Sequence, residues 1–152
     1  MKQRSRLPEQ DDLLRPRLVD MIDPRHELVK LTALITWEVV DREWSGFFAS
    51  ATGRPATRPR LVAGLLYLRH ACRLSDAAVV ARWIGTPCYQ HLTGETFFQN
   101  RSPIDASSLT RWRNRIGEEG VEGLLTQTIA AGGKSGVSVL IKRLLASICG
   151  QL

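Results

Sequence analysis

Between Pro103 and Gly120 the chain reads PIDASSLTRWRNRIGEEG, which sets Arg111, Arg113 and Arg115 close together beside Ser108. A guanidinium is a planar fork of donors suited to phosphate and to guanine edges, and a hydroxyl can both donate and accept. Wound as a helix, this stretch puts Leu109, Trp112 and Ile116 on one side, as a core requires. Ser108, Arg111 and Arg115 share the other side, while Arg113 sits nearer the apolar edge and can reach out from it. A recognition helix has this form, with side chains near its N-terminus at base edges and flanking arginines on phosphates. An amphipathic helix with a solvated basic face has the same form.

A second basic stretch, GRPATRPR from Gly53 to Arg60, contributes Arg54, Arg58 and Arg60. An extended Arg-Pro segment can lie in a narrow minor groove. Alternatively, Pro55 and Pro59 only introduce the helix that follows. The pairs His70/Cys72 and Cys88/His91 raise zinc, yet residues two apart on a helix face apart and only the second pair has a chelating spacing. Core packing is the expectation for all four, and no metal is assigned. Gly133-Lys134-Ser135 imitates the end of a phosphate-binding loop but has Thr128 where the motif needs glycine. No Ser-His-Asp or Cys-His arrangement is supported by spacing, and no acid follows Glu122, so no active site and no cofactor are expected.

The charge pattern points the same way as the arginine helix. The chain of 152 residues carries a net +6, and residues 54–115 hold ten arginines against three acids. All the excess lies in this segment, and all of its bases are arginine, which favours a polyanionic partner such as nucleic acid. The longest clean apolar run, Leu61–Leu68, is far short of the roughly 18–20 residues that cross a bilayer. The start, with Glu9, Asp11 and Asp12, lacks the apolar core of an export signal. Cys72, Cys88 and Cys149 are too few for a disulfide framework, so the expected location is the cytoplasm.

The elements that must position these residues read as helices. Three- and four-residue spacing recurs and strand alternation does not, which predicts an all-α bundle of about five or six helices. Asp23-Pro24 predicts a helix start, followed by an apolar stripe of Leu28, Leu31 and Ile35. Hydrophobic staples predict three more starts, at Ile35-Thr36 with Val40, Leu74-Ser75 with Val79, and Ile104-Asp105 with Leu109. The second of these should stop at Gly85 and the third at Gly117, with a further helix through Leu124, Leu125 and Ile129. LVAGLLYLRH is a helix fed by the basic linker, which divides the chain into two helical groups, and Thr86–Pro103 reads as a short helix and a loop. Some twenty residues between Gly85 and Asp105 exclude a compact helix-turn-helix and leave one with an inserted loop open.

Four blocks, DMIDPRHELVKLTALITWE, GRPATRPRLVAGLLYLRH, LSDAAVVARWIGTPCYQHLTGE and PIDASSLTRWRNRIGEEGVEGLL, resemble in order and spacing the N-terminal region of transposases of the insertion-sequence-five type, in the Asp-Asp-Glu superfamily. The likeness covers about residues 18–132. It implies a helical domain that binds the terminal repeats of a mobile element and helps assemble the transposase, followed by a catalytic domain that holds two magnesium ions. On that basis residues 1–17 are expected to be a flexible N-terminus, 18–132 the transposase domain and 133–152 a divergent tail. A frameshift or early stop ahead of the catalytic domain would produce such a tail. The DNA-binding residues expected from the basic linker and the arginine helix are Arg54, Arg58, Arg60, Ser108, Arg111, Arg113 and Arg115. The alternative functions are a module that pairs with full-length transposase and inhibits it, using Trp37, Trp44 or the tail, and a gene remnant without function.

Overall fold

Leu61–Leu68, LVAGLLYL, is apolar on every side, and a helix of that kind is stable only when other elements surround it. The computed structural model describes residues 15–48 and 57–132 and places this run in the middle of the molecule, all eight residues buried. The described residues form seven helices: α1 Leu18–Met21, α2 Glu27–Leu34, α3 Trp37–Phe48, α4 Pro59–Cys72, α5 Asp76–Gly85, α6 Pro87–Leu92 and α7 Ala106–Gly132. The fold is therefore an all-α bundle, as the periodicity predicts, with α4 as its central member. Helices α3, α5, α6 and α7 pack on α4, while α2 packs on α6 and α7.

One core joins the two helical groups that the basic linker separates in sequence. Leu28 and Leu31 from α2, Trp37, Val40 and Trp44 from α3, Val79 and Trp83 from α5, and Leu109 and Ile116 from α7 all join the α4 run in one buried cluster. Gly64 permits one of the closest approaches, because a Cβ there would stand 2.8 Å from Thr93 Cγ2.

Several element boundaries follow local chemistry visible in the sequence. Ser75 caps α5 by accepting from Ala78 N at 3.1 Å, and Pro59 opens α4 at a position where its missing N–H costs nothing. Thr36 and Asp105 immediately precede α3 and α7. The helix expected at Asp23-Pro24 begins later, at Glu27. Asp23 Oδ1 accepts from Arg25 N at 2.8 Å, and its carbonyl from His26 N at 3.0 Å, so Asp-Pro makes a β-turn. His26 supplies the cap instead, its Nδ1 accepting from Leu28 N at 3.1 Å. Proline is equally suited to the first position of a helix and the second of a turn, which is why the dipeptide misleads. At Gly117, where a stop is expected, φ is 74° and ψ −179°, and the helical path bends before it resumes through Leu124, Leu125 and Ile129. That backbone conformation is essentially open to glycine alone.

Between α5 and α7, the long insertion is a built piece of the domain. Buried Gln90 of α6 donates through Nε2 to the carbonyls of Trp83, Ile84 and Gln99, and its Oε1 accepts from Gln99 N. The same loop pairs with the chain's first described residues: Phe98 N donates to Pro16 O and Leu18 N to Thr96 O. Among the described residues, backbone pairing thus includes Pro16. No described helix is long and apolar enough to cross a membrane.

Candidate nucleic-acid interface

The three acids of the arginine-rich segment are each engaged locally. Glu95 is buried and pairs with Arg58. Asp76, at the start of α5, meets Arg69 Nε of α4 at 2.6 Å and Arg113 Nη2 of α7 at 3.1 Å, and also accepts from Thr110 Oγ1 at 2.6 Å. Asp105, ahead of α7, accepts from Ser108 Oγ at 3.3 Å. Arg73, Arg82, Arg101, Arg111 and Arg115 are all exposed, and among the described residues none of them forms an ion pair.

The structure separates the sequence-expected site residues into two sets. Arg111 and Arg115 lie exposed on α7; Arg111 Nη2 donates to Ser108 Oγ at 3.2 Å, and the Arg115 guanidinium lies 5.3 Å from the Trp112 ring centroid. Ser108 is half-buried and bonded to both Arg111 and Asp105. On the inward side Leu109 and Ile116 are buried and Trp112 is packed against the core. Arg111, Arg115 and Ser108 therefore share one edge of a helix whose apolar residues anchor it.

The second set is committed to the fold. Arg60 donates through Nε to Leu92 O at 3.1 Å and through Nη2 to His91 O at 3.3 Å, while its guanidinium stacks 4.5 Å from the Trp37 ring centroid. It thereby donates to the last carbonyls of α6, of which that of His91 also accepts from Gly94 N, and ties α6 to α3 and α4. Arg58 and Arg113 are held by Glu95 and Asp76. Arg54 lies outside the described residues, as does the tail 133–152.

Sequence reasoning did not single out Arg73, Arg82 and Arg101. Each stands alone among other residue types, and only the bundle reveals that they are exposed while their neighbouring acids are occupied. Arg73 also has a left-handed backbone, φ 53° and ψ 47°, as the residue that ends α4.

Two histidines beside this surface, His70 and His91, are held toward their neutral form. Burial holds His70 below its ordinary value, helped by Arg69 and Arg113 against Asp76, and burial followed by Arg60 does the same for His91. Cys72 Sγ lies 3.2 Å from the Tyr89 hydroxyl. Among the described residues no three His, Cys, Asp or Glu side chains converge as metal ligands. Trp37 and Trp44, the alternative contact surface, are core residues.

The described residues thus make an all-α domain with a basic edge on a core-anchored helix. The chain belongs to the family described as Transposase domain (DUF772), which matches residues 16–115. Its curated relatives include "Uncharacterized protein ORF8 in nfe locus" from Rhizobium meliloti, 44% identical over 128 residues, which cover 84% of this chain and 61% of that protein. The chain thus spans less than two thirds of that relative's length. No solved structure matches it.

Proposed function

We propose that this chain is a DNA-binding domain of a transposase of the insertion-sequence-five type, docking on double-stranded DNA at the terminal repeats of its element. The exposed Arg111–Arg115 edge of α7 carries this reading: it is a basic edge on a helix whose other side is fixed in the core. Arg111, Arg115 and Ser108 are the residues for base contacts. Arg73, Arg82 and Arg101 are exposed and available for phosphate, Arg54 remains a candidate on its sequence alone, and Arg58, Arg60 and Arg113 act through the fold. Membership of a transposase-domain family supports a role in transposition. Strand cleavage and transfer belong in this reading to an Asp-Asp-Glu domain with its magnesium ions.

Binding of the purified chain to a terminal-repeat duplex and to a scrambled duplex of equal length, over a range of salt, tests the reading. With about four to six phosphates neutralised, log affinity should fall with log salt at a slope of about −4 to −5. The repeat should be preferred, and Arg111→Ala should remove most of that preference. An affinity that is flat in salt, or equal for both duplexes, overturns terminal-repeat recognition.

A further inference from the structure

Asp76 is the point at which α4, α5 and α7 are joined by charge. Its carboxylate is 12% exposed and holds Arg69 of α4 on one oxygen and both Arg113 and Thr110 of α7 on the other. On a helical wheel Thr110 and Arg113 occupy an edge of α7 roughly 160° away from the edge bearing Ser108, Arg111 and Arg115. A carboxylate fixed at the first residue of α5 therefore grips the far side of the helix that faces solvent with its other arginines. It also occupies two guanidiniums that would otherwise stand close together without a counter-charge.

We propose that Asp76 is a positioning residue for DNA selectivity: it sets the rotation of α7 that presents Arg111 and Arg115, and it withholds Arg69 and Arg113 from phosphate. This rests on the DNA-binding reading and adds a distinct claim to it. Selectivity is a difference between two affinities, so a device that lowers non-specific attraction contributes as much as one that improves the correct contacts. Without the carboxylate, two guanidiniums become available to any duplex, and the edge that reads sequence loses its fixed orientation.

The test compares wild type with Asp76→Asn on the terminal-repeat and scrambled duplexes, with a thermal melt of each protein. In Asp76→Asn, affinity for the scrambled duplex rises roughly three- to tenfold at about 0.1 M salt, the salt slope steepens by about one to two, and the ratio of repeat to scrambled affinity falls. Adding Arg69→Gln returns the slope toward wild type but leaves the ratio low, which separates orientation from charge. A purely structural lesion moves the other way, lowering affinity for both duplexes together with the melting temperature and leaving the slope unsteepened. If Asp76→Asn does not fold, Thr110→Val with Arg113→Gln removes the partners on α7; a lowered ratio with an unchanged slope supports the role, and an unchanged ratio overturns it. Wild type that prefers the repeat while Asp76→Asn keeps its slope and ratio overturns this role alone. Wild type that binds neither duplex overturns the DNA reading and this role with it.

Discussion

Gly64 of α4 faces Thr93 so closely that a Cβ at position 64 would stand 2.8 Å from Thr93 Cγ2 and 3.4 Å from its Cα. Thr93 has little freedom to move aside, because its Oγ1 accepts from the buried Trp83 indole at 2.8 Å. Alanine normally improves a helix interior over glycine by about 1 kcal/mol. Here the clash should outweigh that gain, and Gly64→Ala should lower stability by about 1–2 kcal/mol in denaturant unfolding. Thr93→Ser removes the obstructing methyl and keeps the hydroxyl, so Gly64→Ala in that background should be neutral or stabilising. A gain from Gly64→Ala alone would show that α4 and the end of α6 are not in such close contact.

Arg60 and Arg111 are both arginines of the basic segment, yet they should fail in different assays. Arg60 caps the carbonyls of His91 and Leu92 and stacks on Trp37, so Arg60→Ala should cost about 2–4 kcal/mol of stability. Arg60→Lys should recover less than half of this, since an ammonium cannot bridge both carbonyls and stack. Arg111→Ala should leave stability within about 0.5 kcal/mol and act on DNA binding alone. Equal melting temperatures for Arg60→Ala and wild type would remove Arg60 from the fold and return it to the surface.

Such differences mark what the sequence makes legible. Ser75 ahead of Val79 and Asp105 ahead of Leu109 act within one turn of chain, and the helices begin where those residues place them. The apolar periodicity of Leu28, Leu31 and Ile35 likewise reports a core-facing side that the bundle buries. Asp23-Pro24 was ambiguous because a turn and a helix start use the same dipeptide, and His26 decided between them. The roles of Arg58, Arg60 and Arg113 were not legible, since each depends on a partner more than thirty residues away in the chain. Charge counted along a sequence cannot separate an arginine that holds the fold from one that faces solvent. That Ser108, Arg111 and Arg115 share an edge was legible, because helical spacing alone determines it.

Tyr67 places a polar atom in the apolar core. Its ring is buried in α4, and among the described residues its hydroxyl finds no hydrogen-bond partner. A buried hydroxyl without a partner costs about 1–3 kcal/mol, whereas the ring itself fills core volume. Tyr67→Phe should therefore raise stability by about 1 kcal/mol, read as a higher melting temperature. A clear loss of stability would mean that the hydroxyl has a partner after all.

Stability should fall at both ends of the pH scale, through different residues. Burial alone would raise the Asp76 carboxyl, but the Thr110 hydrogen bond together with Arg113 and Arg69 outweighs it and holds the group below its ordinary value. A depressed native value means that ionised Asp76 stabilises the fold fully above the unfolded carboxylate range of about pH 4, and that this contribution is lost as pH falls through the native value. Tyr89 has the opposite sign. Burial, with the Cys72 contact and against Arg82, pushes its phenol up to about 12. Its neutral form therefore stabilises the fold fully below about pH 10, the ordinary tyrosine value, and this contribution declines as pH rises through the native value. Denaturant unfolding across pH should show Asp76→Asn losing part of the acid limb and Tyr89→Phe losing part of the alkaline limb, with each variant leaving the other limb as in wild type. If Asp76→Asn follows the wild-type acid limb throughout, the carboxylate is not held by its three partners in solution.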